Sequence, residues 1–260
     1  MKSLKLATVT TLAIAASISA AHADMAVGLT GDKTLVMIDG SKPGVTKSMD
    51  VKGVDRLLGI DVRPSNKGLY GVTSAGTIVM IDLANGEAKQ VSKLEKTLDG
   101  ASMAIVDFNP AADKLRFMGM DGTNLRVDTD SGKVTTDGSL AFEATDGNAG
   151  KKPNVVAAAY TNSFGKPEKT AMYDIDATIG FIQQTKPNDG TLKTIGAFGI
   201  GAAQSYAFDV YTTADGANTA WLVADNTLHT VDLATGKATK VGAIGGVTGM
   251  IRDITVLPKS

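Results

Sequence analysis

The chain has 260 residues, no cysteine and a formal net charge of −1. The absence of cysteine excludes disulfides, thiolate metal sites and covalently attached haem. The near-neutral charge argues against nucleic acid or an anionic membrane as a partner, because both favour a basic face. Only four of the 27 acidic residues are Glu, and 29 residues are Gly. Because Asp and Gly favour turns, this composition predicts an all-β fold.

The first 23 residues read as a secretory signal peptide. Lys2 and Lys5 form a basic start, and residues 6–18 are uncharged and apolar but too short to span a bilayer. Ala21 and Ala23 form an A-x-A cleavage site. The chain is therefore predicted to be cut after Ala23, which leaves one domain, 24–260. We expect this domain to be a periplasmic or secreted monomer with no membrane span.

An apolar strand that carries an aspartate recurs along the chain about every 50 residues. The aspartates are Asp61, Asp107, Asp209 and Asp253, and Ala159 stands at the corresponding place in the third copy. A turn recurs independently at 82–86, 128–132 and 232–236, with a diverged copy at 186–190. Each turn ends in a Gly, where a hairpin loop favours positive φ. Four strands per repeat is typical of a β-propeller.

The two chain ends contain complementary fragments of one further repeat. Residues 25–50 supply three strands but lack the first strand, whereas residues 250–257 supply a first strand with nothing after it. Four complete repeats and this joint blade predict a five-bladed propeller whose ring is closed by the C-terminal strand, which removes open sheet edges. The insertion at 143–153 is predicted to be a surface loop in the third repeat.

Several segments resemble a bacterial family of exported domains of unknown function. The segments are 106–117, 124–140, 157–162, 172–176 and 187–192. Together the similarity covers nearly all of the chain after the signal peptide. The resemblance implies export and a propeller-like fold, and it implies no reaction.

The repeated aspartates are the best candidates for a functional site. The first strand of a propeller blade is innermost, so the Asp61, Asp107, Asp209 and Asp253 carboxylates are expected near the central channel. One hypothesis is that they join neighbouring blades by accepting hydrogen bonds, because a buried carboxylate needs partners. The other is a ring that binds a cationic or polyhydroxyl ligand, or Ca²⁺. Arg63 and Arg252 lie on the same strands, where they either pair with aspartates or bind a ligand.

Two other groups of residues give weaker signals for metal or catalytic chemistry. Asp128 and Asp130 form half of a calcium-binding loop, but turn chemistry explains the same pattern. His229 is the single histidine after the signal peptide, which excludes multi-histidine metal sites. It is predicted to be a half-exposed strand residue.

These observations leave two functions open. The first is a non-catalytic binding or scaffold propeller whose partner is a protein, a glycan or a small ligand. The second is a hydrolase or lyase that acts on envelope or extracellular glycans with carboxylates near the channel, with or without Ca²⁺. The absence of a catalytic motif and the single Trp favour binding, and no cofactor is predicted apart from this candidate Ca²⁺.

Overall fold

The computed structural model describes residues 25–98, 100–101 and 103–258. The regular secondary structure of these residues consists entirely of β-strands. The predicted signal peptide, 1–23, lies outside these residues. Within the described part of the chain, no helix is long and apolar enough to cross a membrane.

The strands form five separate sheets, and each sheet is one blade of a propeller. The closing blade begins with β1 (Met25–Thr30), β2 (Thr34–Asp39) and β3 (Gly44–Asp50). Blade 1 contains β4 (Leu57–Val62), β5 (Leu69–Thr73), β6 (Thr77–Ile81) and β7 (Ala88–Lys93). Blade 2 contains β8 (Ile105–Asn109), β9 (Lys114–Met118), β10 (Asn124–Val127) and β11 (Val134–Thr136).

Blade 3 has one strand more than the other blades. Its strands are β12 (Ala141–Phe142), β13 (Val155–Tyr160), β14 (Met172–Asp176), β15 (Gly180–Lys186) and β16 (Thr191–Gly196). The extra strand, β12, pairs parallel to β16 at the outer edge of the blade. The predicted loop at 143–153 follows it and is mostly exposed. Blade 4 contains β17 (Tyr206–Thr212), β18 (Asn218–Ala224), β19 (Thr227–Val231) and β20 (Ala238–Ala243).

The last strand, β21 (Ile251–Val256), completes the closing blade. It pairs antiparallel to β1, with Ala26 opposite Val256 and Val27 opposite Thr255. The sheet therefore runs β21-β1-β2-β3, from the inner strand to the outer strand. This pairing confirms the predicted five-bladed propeller and its closure by the two chain ends.

The hydrophobic core lies mainly between neighbouring blades. Inner strands such as β4 and β17 are buried along their whole length, because each packs between two other blades, whereas outer strands such as β3 and β20 are largely exposed. Between blades 3 and 4, the Phe181 ring stacks on Tyr173 and meets Phe198 and Phe208 edge to face. Because each blade is sandwiched in this way, the five inner strands are held in a fixed ring.

The repeated turns also join the blades. In each of the three matching turns the Gly N–H donates to the Asp carbonyl, at 2.7 Å for Gly86, 2.8 Å for Gly132 and 2.7 Å for Gly236. All three glycines have φ of +76°, as the turn requires. The carbonyls of Gly86 and Gly132 accept hydrogen bonds from the N–H groups of Lys52 and Glu95, each of which follows the outer strand of the preceding blade.

Candidate functional site at the mouth of the central channel

Three of the repeated aspartates converge where the inner strands end. Asp61, Asp107 and Asp209 lie on β4, β8 and β17, and their exposed fractions are 7%, 5% and 7%. One carboxylate oxygen from each lies within 4.8 Å of the other two. Strand alternation explains the placement, since the residues on either side face the cores between blades while the aspartates face the ring axis. The structure therefore brings together three of the four predicted aspartates.

Each of these carboxylates also joins its blade to the next blade. Asp61 accepts a hydrogen bond from the Phe108 N–H at 2.7 Å, and Asp107 accepts one from the Tyr160 N–H at 2.9 Å. Asp209 accepts one from the Val256 N–H at 2.6 Å. These contacts supply the partners that a buried carboxylate needs, so the inter-blade contact expected from the sequence is present in all three.

Asp253 does not belong to this cluster of three. The corresponding residue of β21 is Thr255, which donates its hydroxyl to Asp61 at 2.8 Å and lines the channel mouth. Asp253 lies two residues earlier and accepts the Ile60 N–H at 2.7 Å. The signal was present in the sequence: Pro64 and Pro110 follow Asp61 and Asp107 by three residues, and Pro258 follows Thr255 by three.

Burial and mutual repulsion raise the pKa values of the clustered carboxyl groups. Burial raises the pKa of Asp61 and of Asp107 well above the usual 3.8, and nearby aspartates raise both further. Burial raises the pKa of Asp209 to about 6 against the lowering effect of its backbone hydrogen bonds, and it raises the pKa of Asp253 to about 7. Because the groups interact, they titrate as a coupled set that loses its protons at a higher pH than isolated aspartates do.

A cavity of about 290 Å³ opens directly above the cluster. Asp61, Asp107 and Asp209 form its floor. Its wall includes aromatic side chains and the loop at 161–171, which connects β13 to β14. The aromatic lining residues are Phe108, Tyr160, Phe164 and Tyr211. Phe164 remains 49% exposed, so an aromatic face is available at the rim. The cavity thus combines a carboxylate floor with an apolar, aromatic wall.

The two predicted arginines have structural partners. Arg63 makes ion pairs with Asp113 at 2.8 Å and Asp130 at 2.7 Å, and its guanidinium lies 5.9 Å from the ring centre of Phe108. Arg252 donates to the carbonyls of Leu57 at 2.6 Å and Leu58 at 3.1 Å. Neither arginine belongs to the described lining of the cavity. Arg63 instead supports the cavity wall through Phe108.

The carboxylates of Asp128 and Asp130 already have cationic partners. Asp128 accepts hydrogen bonds from Lys114 and from Ser131, and Asp130 pairs with Arg63. The Lys114 hydrogen bond, followed by those from Ser131, lowers the pKa of Asp128 well below its usual value. This geometry favours the turn interpretation of the segment over a calcium loop.

The sequence analysis missed part of the cavity and misjudged one residue. Tyr160, Phe164, Tyr211 and Thr255 line the cavity but were not singled out. The exposed Phe in a Gly- and Pro-containing loop after β13 was the available signal. His229 is buried and lies 3.0 Å from the Thr227 carbonyl through Nδ1, so the predicted half exposure was wrong.

Comparison with known proteins agrees with this architecture. The model of a family described as a domain of unknown function (DUF4394) matches residues 34–255. The chain belongs to this family. No curated protein matches it.

Two solved structures resemble this member of the family. One is a structural genomics protein of unknown function from Bacteroides thetaiotaomicron VPI-5482, with 15% identity and a TM-score of 0.54 over 93% of this chain and 68% of that chain. The other is a protein of unknown function from Bacteroides caccae, with 10% identity and a TM-score of 0.48 over 92% of this chain and 100% of that chain. The first similarity supports the fold alone.

Proposed function

We propose that this family member is an exported, non-catalytic binding protein that holds a small ligand in the cavity at the channel mouth. The observation that supports this proposal best is the cavity itself, with three buried carboxylates on its floor and aromatic side chains on its wall. Ligand sites in proteins are commonly apolar concavities with a few convergent polar groups.

The size of the cavity favours a small molecule. Its volume of about 290 Å³ is at the lower end of the range for small-molecule sites. A glycan or peptide would therefore place only one residue or one side chain inside and would lie across the rim. The exposed Phe164 provides an apolar contact for such a group.

One observation favours the alternative, a carboxylate-based hydrolase or lyase acting on glycans. The oxygens of the clustered aspartates lie within 4.8 Å of one another, close to the carboxyl separation of about 5 Å in retaining glycosidases. However, both oxygens of Asp61 accept hydrogen bonds, from Val62 and Thr255 on one side and Phe108 on the other. Both oxygens of Asp209 are also occupied. Carboxylates held in this way suit binding better than nucleophilic attack.

The proposal is tested by thermal unfolding of the purified protein with a panel of envelope solutes: sugars, short peptides, amino acids, amines and divalent cations. A compound at one hundred times its Kd adds about 2.7 kcal/mol to the free energy of unfolding. For a chain of this size, this stabilisation raises the midpoint by about 5–10 °C.

Two matched variants distinguish binding in the cavity from binding elsewhere on the surface. Ser163→Phe fills the cavity, which Ser163 lines, whereas Ser48→Phe adds the same ring on the exposed outer strand β3. A midpoint shift that survives in Ser48→Phe and disappears in Ser163→Phe supports the proposal. A shift that persists in both variants places the ligand elsewhere. Turnover of a glycan that is lost in Asp107→Asn favours the hydrolase or lyase.

A further inference from the structure

We propose that the cavity binds a primary ammonium group on a short apolar stem, with the three N–H donors directed at Asp61, Asp107 and Asp209. This inference rests on the proposed function, because it names the ligand class of the same cavity. A free amine and the side chain of a lysine in a peptide share this chemistry.

The spacing of the carboxylates matches the geometry of an ammonium group. Three oxygens that lie within 4.8 Å of one another share a central point that is at most about 2.8 Å from each. Charge-assisted N–H···O hydrogen bonds have lengths of about 2.7–2.9 Å. An ammonium carries three N–H donors and no acceptor. One nitrogen at the central point can therefore donate to all three aspartates.

Asp107 provides an independent sign of where a ligand would bind. It is 5% exposed, and among the described residues only the Tyr160 N–H donates a hydrogen bond to it, at one oxygen. Its side chain lines the cavity, so the second oxygen is available to a ligand. Because this oxygen borders the cavity and has no donor among the described protein groups, a ligand N–H can bond it without displacing a protein contact.

The wall suits the stem of the same ligand. Phe108, Tyr160, Phe164 and Tyr211 surround the space above the floor, together with Pro64 and Pro258. Aromatic faces attract a cation and pack against methylene groups. An inorganic ion would leave this apolar surface exposed to water, whereas an alkyl or aryl stem would cover it.

The hydrogen bonds at the floor favour an ammonium over Ca²⁺. Calcium requires six to eight oxygen ligands in a nearly spherical arrangement. Both oxygens of Asp61 and both oxygens of Asp209 already accept hydrogen bonds from protein groups, which occupy part of their lone pairs. The remaining acceptor directions are enough for three N–H bonds.

The charges around the cluster make binding depend on pH. Asp253 on β21 adds to the negative potential at Asp107, and the exposed Lys67 stands at the rim. Tyr160 and Tyr211, on the wall, are the other titratable groups in the lining, and Arg116 donates to the Tyr160 hydroxyl at 3.1 Å. Because the raised pKa values of Asp61, Asp107 and Asp209 leave protons on the cluster, an ammonium must displace them. Affinity therefore rises as the pH increases through about 6, the pKa of Asp209.

The test is calorimetric titration of the purified protein with n-butylammonium, benzylammonium and Nα-acetyl-lysine amide. Neutral n-butanol controls for the stem, tetramethylammonium for charge without N–H donors, and CaCl₂ for a metal. We expect n-butylammonium to bind at least tenfold more tightly than n-butanol or tetramethylammonium. Tighter binding of the lysine amide than of n-butylammonium indicates a peptide side chain, and the reverse order indicates a free amine.

Three variants test the assignment. Asp107→Asn keeps an acceptor for the Tyr160 N–H but removes the charge, so it should weaken n-butylammonium binding at least tenfold. Phe164→Ala changes an exposed ring that is not part of the floor, and it should weaken benzylammonium binding three- to tenfold even if Asp107→Asn folds poorly. Asp55→Asn, an exposed aspartate outside the cavity lining, should leave binding unchanged.

Two results overturn the inference and still distinguish it from the proposed function. Calcium binding that Asp107→Asn abolishes, without amine binding, makes the cluster a metal site. Binding of a neutral solute that Ser163→Phe blocks, again without amine binding, leaves the cavity as a ligand site of another class. If no compound in either experiment binds in the cavity, the proposed function fails as well.

Discussion

Aspartate recurs in two places in blades 1, 2 and 4, on the inner strand and in the outer turn, and the two places give it opposite properties. In the outer turns, Asp232 accepts hydrogen bonds from the Ala234 and Thr235 N–H groups, both at 2.9 Å, and those from Thr235 lower its pKa. On the inner strands, burial raises the pKa of Asp61 even though three protein groups donate to it. An exposed aspartate in a turn therefore ionises more readily than usual. An aspartate buried beside other carboxylates at the axis keeps its proton to a higher pH. Position in the blade therefore decides what each repeated aspartate can do.

The largest loss of stability is expected when the glycine of an outer turn is replaced. A Cβ at Gly132 would lie 1.9 Å from the Lys93 carbonyl oxygen, and φ is +76°. Gly132→Ala should therefore lower the free energy of unfolding by at least about 3 kcal/mol. Gly246→Ala is the control, because φ is +78° but the nearest atom is 3.7 Å away. It should cost only about 1 kcal/mol. Equal losses in urea denaturation would show that the blade contact at Gly132 is unimportant.

Removing an aspartate should be more damaging on an inner strand than in an outer turn. Asp61→Ala leaves the Phe108 N–H and the Thr255 hydroxyl without their acceptor in a buried site, and it leaves the Val62 N–H only the longer bond to the Thr255 oxygen at 3.3 Å. We expect a loss of about 3 kcal/mol at pH 6. Asp232→Ala removes an exposed turn acceptor whose donors can bond water instead, so it should cost much less. Chemical denaturation measures both, and a larger loss for Asp232→Ala would reverse the comparison.

The smallest of these effects is a dependence of stability on pH with opposite signs in the two regions. The folded-state pKa of Asp209 is about 6, above the usual 3.8, so the folded state binds the extra proton. Stability from this group is complete below about pH 4 and is lost as the pH rises through about 6. The lowered pKa of Asp232 gives the reverse, with stability lost as the pH falls below 3.8.

Thermal unfolding between pH 2 and 8 checks this prediction. Asp209→Asn should reduce the fall in the unfolding midpoint above pH 5. Asp232→Asn should change the midpoint only below about pH 3.8. A decline in Asp209→Asn as steep as in the parent protein would assign the proton uptake to other groups.

The sequence was sufficient for the architecture because two features repeat with the same period. The inner strands and the Asp-to-Gly turns each marked a blade, and the complementary ends fixed the number at five. The error at β21 came from aligning Asp253 by residue type. The step of 46 residues from Asp209 to Thr255 equals the step from Asp61 to Asp107, and the following prolines agree.

The cavity could not be predicted in the same way. The distance between carboxylates on different blades depends on the radius of the ring, which is set by packing between blades rather than by any one strand. Phe164 reaches the mouth because the Ser163 N–H and hydroxyl bond Thr212 and Val210 on blade 4, at 2.8 and 3.2 Å. Such contacts between residues far apart in the sequence produce no periodic sequence pattern.

The pairing of β21 with β1 determines when, during synthesis, the channel mouth can be completed. Ala26 and Val256, which are 230 residues apart, lie opposite each other in this pair. Thr255 and Val256 also complete the hydrogen bonds of Asp61 and Asp209. At a synthesis rate of about 5–20 residues per second, blades 1 to 4 emerge many seconds after β1 has appeared and before its partner exists. A nascent chain, or a chain clipped before β21, therefore has an incomplete channel mouth.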